Sequence, residues 1–91
     1  MKFKKTMYHF DFFSDSGHGW LRVRKDFLIR LGIEKLITPY SYMRGDYAYL
    51  EEDCDYGTFY NKMKELGLDF KPKYHSTDNR SRIRNYDCYK V

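Results

Sequence analysis

The chain predicts an α+β fold: a small mixed or antiparallel sheet in the order β-β-α-β-α-β-β, with two helices packed on one face. Three observations predict it. Side chains alternate with a period of two at residues 5–13 and at residues 20–24, as half-buried strands require. Tyr56, Phe59, Met63 and Leu66 form one apolar stripe at helical spacing, and Gly67 follows at once. Strand-like and helix-like stretches then interleave along 91 residues, enough for one domain (residues 1–91) with a modest core.

In the first strand Tyr8, Phe10 and Phe12 point one way, and Met7, His9 and Asp11 the other. Ser14–Gly19 is a loop by composition. Trp20–Arg24 resumes the alternation, with Leu21 and Val23 opposite Arg22 and Arg24, so an antiparallel hairpin is expected. Lys25–Leu31 is a short helix stopped by Gly32. Glu34–Ile37 has room for one helical turn, and Pro39 disfavours helix at Thr38. Pro39–Gly45 reads as an aromatic loop, and the Arg44-Gly45-Asp46 tripeptide as a turn.

Tyr47–Leu50 suits a pleated strand. Asp55 is the expected N-cap of the second helix, with the acidic run Glu51–Asp53 beside the positive end of its dipole. Gly67 is placed to be left-handed, with Leu68 reaching back to Met63. Asp69–His75 reads as a strand that Pro72 either confines to an edge or delays until after residue 72. Arg80–Val91 is expected as a last strand. The echo between RLGI at residues 30–33 and ELGL at residues 65–68 reads as shared helix-stop chemistry rather than a repeat.

Aromatic residues make up 20% of the chain, so the core is expected to be built from rings with tyrosine hydroxyls at its rim. The formal charge of +4 favours anionic partners. No apolar run approaches membrane-spanning length, and the first thirteen residues hold no signal-peptide core, so a cytoplasmic protein with no membrane partner is expected. Cys54 and Cys88 do not make a metal spacing; a reduced pair is expected, with a disulfide left open. No glycine-rich phosphate loop, zinc pattern or EF-hand is present, and no cofactor is implied.

Chemistry concentrates near the C-terminus. Arg80, Arg82 and Arg84 are spaced by two, which on a strand would set them on one face, roughly 6.5–7 Å apart. That step resembles the phosphate spacing of an extended nucleic-acid strand, and Tyr86 follows on the same face as a stacking side chain. Arg22 and Arg24 form a second, shorter comb, and Lys71, Lys73 and His75 can extend the patch. Tyr40 and Tyr42 join Tyr86 as aromatic anchors. The competing reading is a solvated face, its arginines paired with Asp78, Asp87 and the Glu51–Asp53 run. His18, between two glycines, is a turn residue or the base of a metal-independent ribonuclease; no spacing demands catalysis. The Glu51–Asp55 acids serve capping and solubility, or hold a hard cation.

His18–Leu21, Leu31–Ile33, Pro39–Asp46 and Ala48–Asp55 stand in an order that resembles a group of small phage- and plasmid-encoded proteins of uncharacterised activity. The resemblance covers most of residues 8–86 and implies a mobile-element origin. It makes host takeover or inhibition of a host defence plausible, as anti-CRISPR proteins of this size do by protein–protein contact. It carries over no catalytic residue, and this basic chain departs from the acidic character of many such inhibitors. Two partners are therefore expected in competition: nucleic acid or a nucleoprotein, and a host protein. Edge strands suggest a weak homodimer and the arginines at one edge a monomer.

Overall fold

A computed structural model describes residues 3–4 and 6–91, so the Lys5 end of the first expected strand lies outside the described residues. The elements are β1 (Met7–Ser14), β2 (Gly19–Arg24), α1 (Lys25–Leu31), β3 (Tyr42–Arg44), β4 (Tyr47–Glu51), α2 (Asp55–Glu65), β5 (Asp69–Ser76), a 3-10 turn at Arg82–Asn85, and β6 (Asp87–Cys88). They form a six-stranded mixed sheet in the order β5-β1-β2-β4-β3-β6, with β1 and β5 parallel and the other neighbours antiparallel. This is the α+β class the sequence predicts.

Register sorts the side chains onto two faces, because residues side by side in a ladder point the same way. Phe12 lies beside Leu21 and Leu21 beside Leu50; Val23 lies beside Ala48 and Ala48 beside Met43. Both helices cover this face with Phe27, Leu28, Leu31, Phe59 and Met63, which makes the main core. Phe59 is fully buried, with Phe10 and Phe70 rings each 5.3 Å from its own. The expectation of a core built from rings holds only at its edge: the buried cluster is mostly Leu, Ile, Val and Met around Phe12, Phe27, Phe59 and Tyr89, and rings such as Tyr8, Phe10, Tyr56 and Phe70 pack half-buried against it.

Both helices stop in the same way. Gly32 and Gly67 adopt φ of 76° and 69°, and the next residues, Ile33 and Leu68, donate back to Leu28 and Met63. The echo between the two segments is this shared stop. Pro72 sits on β5, at the sheet edge, where its missing donor is tolerated.

Three expectations fail. Residues 39–45 are not only a loop: Tyr42–Arg44 pairs with β4 across a two-residue turn, with Gly45 at φ 58° in its first position. Asp55 opens α2 but does not cap it; its carboxylate turns inward to accept from Thr38 N, Thr38 Oγ1 and Ser41 Oγ. An acceptor 1% exposed answers three donors of the incoming loop, a stronger demand than one cap.

The third failure bears on function. Residues 80–91 do not form one strand, and the comb Arg80–Arg82–Arg84 does not form. Ser81 Oγ accepts from Ile83 N and starts a 3-10 turn instead. With about three residues per turn, arginines spaced by two no longer share a side. What wins is Ile83, buried against Trp20 and Tyr49 on the face away from the helices. Only Asp87 and Cys88 remain as strand, beside β3.

Candidate functional site

The second face of the sheet is open apart from this C-terminal crossing. Phe13, Trp20, Arg22, Arg24, Tyr42, Arg44, Tyr47 and Tyr49 face it by register. Where the C-terminal segment rises off β1 and β2, a groove of about 710 Å³ opens. Phe13, Tyr49, Ile83 and Tyr86 give it an apolar lining, and Arg22, Arg80 and Arg82 bring charge. That volume lies within the range of about 300–1,000 Å³ usual for ligand sites.

The groove wall is organised by a stack of side chains. Arg22 lies between two rings, 4.9 Å from Tyr47 and 5.4 Å from Phe13. Arg24 covers Tyr47 at 5.8 Å. The His75 ring lies on Phe13 at 5.0 Å, 19° from parallel. The row Arg24–Tyr47–Arg22–Phe13–His75 therefore alternates ring and nitrogen-bearing plane across four strands. Such cation–π contacts fix the planes of guanidinium groups without using their N–H donors.

Asp11 ties this row together. One oxygen meets His75 Nε2 at 2.9 Å, and the other accepts from Arg22 Nη2 at 2.6 Å. The His75 hydrogen bond first, then the Arg22 charge, hold its carboxyl below the usual range, against the opposing effect of burial. Arg24 pairs with exposed Asp26 at 3.2 Å. Arg80 donates to the neutral Asn85 Oδ1 at 2.8 Å. Among the described residues neither Arg80 nor Arg82 meets a carboxylate, so their charge is uncompensated.

The sequence-derived site residues thus separate. Arg22, Arg80, Arg82 and Tyr86 converge on one groove. Strand β2 and the C-terminal segment are not sheet neighbours; they meet because the 3-10 turn crosses over the open face. Arg24 continues the stack beyond the groove, and Lys73, exposed beside Asp11, flanks it. Arg84 turns inward to Asp15, Nε to Oδ2 at 2.6 Å. Tyr42 packs edge-on against Trp20. Tyr40 is 75% exposed on the loop held by Asp55 and does not line the groove.

Arg22, Arg24 and Arg84 pair with Asp11, Asp26 and Asp15, none of them a residue expected. Phe13, Tyr47 and Tyr49 were also missed as site residues. Phe13 shares the parity of Asp11, which was the available signal.

His18 lies outside the groove. With Glu51 and Asp53 it brings ligand atoms within 4.8 Å of one another, a set of nitrogen and oxygen donors able to hold a cation. Glu51 Oε2 already accepts from Asp53 N at 2.6 Å. Cys54 and Cys88 are exposed free thiols. Among the described residues no helix is long and apolar enough to cross a membrane.

No family model, curated protein or solved structure matches this chain.

Proposed function

We propose that this chain is a small binding protein that docks an anionic partner, nucleic acid or a nucleoprotein, on the open face of its sheet. The observation that carries this reading is the convergence of Arg22, Arg80 and Arg82 on a groove lined by Phe13, Tyr49 and Tyr86. Phosphates need fixed cations, and bases need rings to lie against; the groove offers both within one cavity. Two of its three arginines meet no carboxylate among the described residues, so approaching phosphates need not break an ion pair there. The stack around Arg22 holds a guanidinium edge in place before any partner arrives, which lowers the ordering cost of binding. The phage and plasmid resemblance supplies the proposed setting, a mobile-element protein acting in a host cytoplasm.

The test is the anisotropy of labelled oligonucleotides at several salt concentrations. Binding that weakens steeply as salt rises supports the reading, because neutralised phosphates release counterions. A partner captured from host lysate that survives both nuclease and high salt would overturn it in favour of a protein target.

A further inference from the structure

A second cavity opens through the sheet onto the open face, and its cause lies in the sheet. The β1–β5 ladder runs the full length of β1, from Met7 to Ser14, and the β2–β4 ladder runs from Trp20 to Arg24. The β1–β2 ladder covers only Phe12–Ser14 with Gly19–Leu21. From Asp11 and Arg22 onward the two strands have no ladder partners in one another. A cleft of about 450 Å³ opens where they diverge, lined by His9, Asp11, Arg22, Arg24 and Tyr47 on the open face and floored by Phe10 and Phe27 from the helix side. Arg22 lines both this cleft and the groove beside the C-terminal turn.

We infer that the two cavities form one track for a single-stranded nucleic acid, crossing the sheet strands over Arg22. This rests on the reading of the groove as a phosphate- and base-binding site and names its ligand class. Three features favour a strand of several nucleotides over a lone nucleotide or a duplex. First, the Arg24–Tyr47–Arg22–Phe13–His75 row runs without a break from the cleft to the groove, so cations and rings recur along the path. Second, among the described residues four arginines bring charge to the two cavities from the open face (Arg22, Arg24, Arg80 and Arg82) against two carboxylates, Asp11 and Asp26, each hydrogen-bonded to an arginine. That is a charge for a chain of phosphates rather than one. Third, the aromatic side chains lie in concave ground. Unpaired bases can enter it and expose their faces to rings; the paired bases of a duplex have theirs stacked within the helix.

The experiment is a length series. The probes are a dinucleotide and a strand of about ten nucleotides, in ribo and deoxy forms, with a hairpin duplex of the same sequence, at low salt. The track predicts affinity at least about tenfold higher for the longer strand than for the dinucleotide, with the duplex weaker. Arg82→Met touches only the groove, and Arg24→Met only the cleft. Both should weaken the longer strand, and a dinucleotide should respond to one of them alone. Unchanged melting temperatures separate these effects from misfolding. Equal affinity for dinucleotide and longer strand, or Arg24→Met without effect on the longer strand, overturns the track and leaves the groove reading standing. A duplex bound as well as the single strand overturns the ligand class. No binding of any oligonucleotide at low salt overturns the groove reading itself.

Discussion

Asp15 grips Arg84 across 69 residues of sequence, with Nε to Oδ2 at 2.6 Å and Nη2 to Oδ1 at 2.8 Å. The carboxylate side chain is 2% exposed and also accepts from the backbone N–H groups of Gly17, His18 and Ser81. One acid therefore folds its own loop and anchors the C-terminal turn to it. Gly17 is part of the arrangement, since a Cβ there would lie 2.9 Å from Arg84 Nη2. The anchored turn presses Ile83 onto Trp20 and Tyr49 and raises the wall that bears Arg80 and Arg82.

Asp15→Asn should loosen that wall. The substitution keeps the shape but removes the charge and turns one acceptor into a donor facing donors. Hydrogen exchange at residues 81–86 should speed up more than elsewhere, and the melting temperature should fall further than in Asp26→Asn, whose pair with Arg24 is exposed. Arg84→Met should have the same local effect, and the double variant should be less than additive. Exchange unchanged at these residues would show that Ile83 alone holds the turn.

Acid should act through the same carboxylates. Arg84 and the Ser81 N–H hold Asp15 far below its usual value of 3.8, and His75 and Arg22 hold Asp11 below it to a lesser degree. A lowered folded-state value means that the unfolded chain binds more protons as pH falls, so stability is lost on acidification. The contribution is complete above the unfolded values, near pH 4, and drains as pH drops toward the folded ones. Urea midpoints should therefore decline from about pH 5 downward. In Asp15→Asn the decline should be shallower from a lower starting point. An equal slope in the variant would remove Asp15 as its source.

Local chemistry was legible in the sequence, and long-range pairing was not. The stripe Tyr56–Phe59–Met63–Leu66 and the two glycine stops each depend on neighbours a few residues away, and Pro72 restricts its strand through its own missing donor. The comb failed for the opposite reason. Its period of two was correct as arithmetic, but Arg84 answers a carboxylate near the first loop, and Ile83 answers a tryptophan on β2. Nothing within residues 80–91 reports either. Strand β3 escaped notice because three residues are too few to show alternation. Arg22 and Arg24 share one face, as their spacing predicts, yet the rings that order them come from β1 and β4. Parity assigns such residues to a face; only register makes them neighbours.

Gly19 is a further constraint that composition alone hides. It is buried, and a Cβ there would stand 2.4 Å from Phe12 Cζ. Phe12 is itself held by Tyr56 and Tyr74 rings at 5.9 and 5.5 Å, so it has little freedom to retreat. Gly19→Ala should cost about 1–3 kcal/mol by overpacking. Urea unfolding measures this directly, and a loss within experimental error would mean that the Phe12 ring relocates.

Asp55 should be the costliest single carboxylate to remove from the helix side. It satisfies Thr38 N, Thr38 Oγ1 and Ser41 Oγ, and Ser41 Oγ in turn accepts from Glu51 N. Asp55→Ala strands several donors at once, so a loss of roughly 3 kcal/mol or more is expected. Ser41→Ala removes one donor to Asp55 and the link to Glu51 N but leaves both Thr38 donors satisfied, so it should lose less. Equal losses would place the stabilisation in Ser41 rather than in the acid.

Arg82 and Arg22 should part company when binding and stability are measured together. Arg82 is exposed and has no acidic partner among the described residues, so Arg82→Met should leave the melting temperature unchanged. If it meets one phosphate, the slope of log affinity against log salt should shrink by about 0.7, the single-strand value per contact. Arg22 meets Asp11, Phe13 and Tyr47 at once. Arg22→Met should lower both affinity and melting temperature, because Asp11 keeps only His75 and the stack loses its middle plane. A slope unmoved in both variants would mean that phosphate does not lie against these guanidinium groups, whatever the affinity.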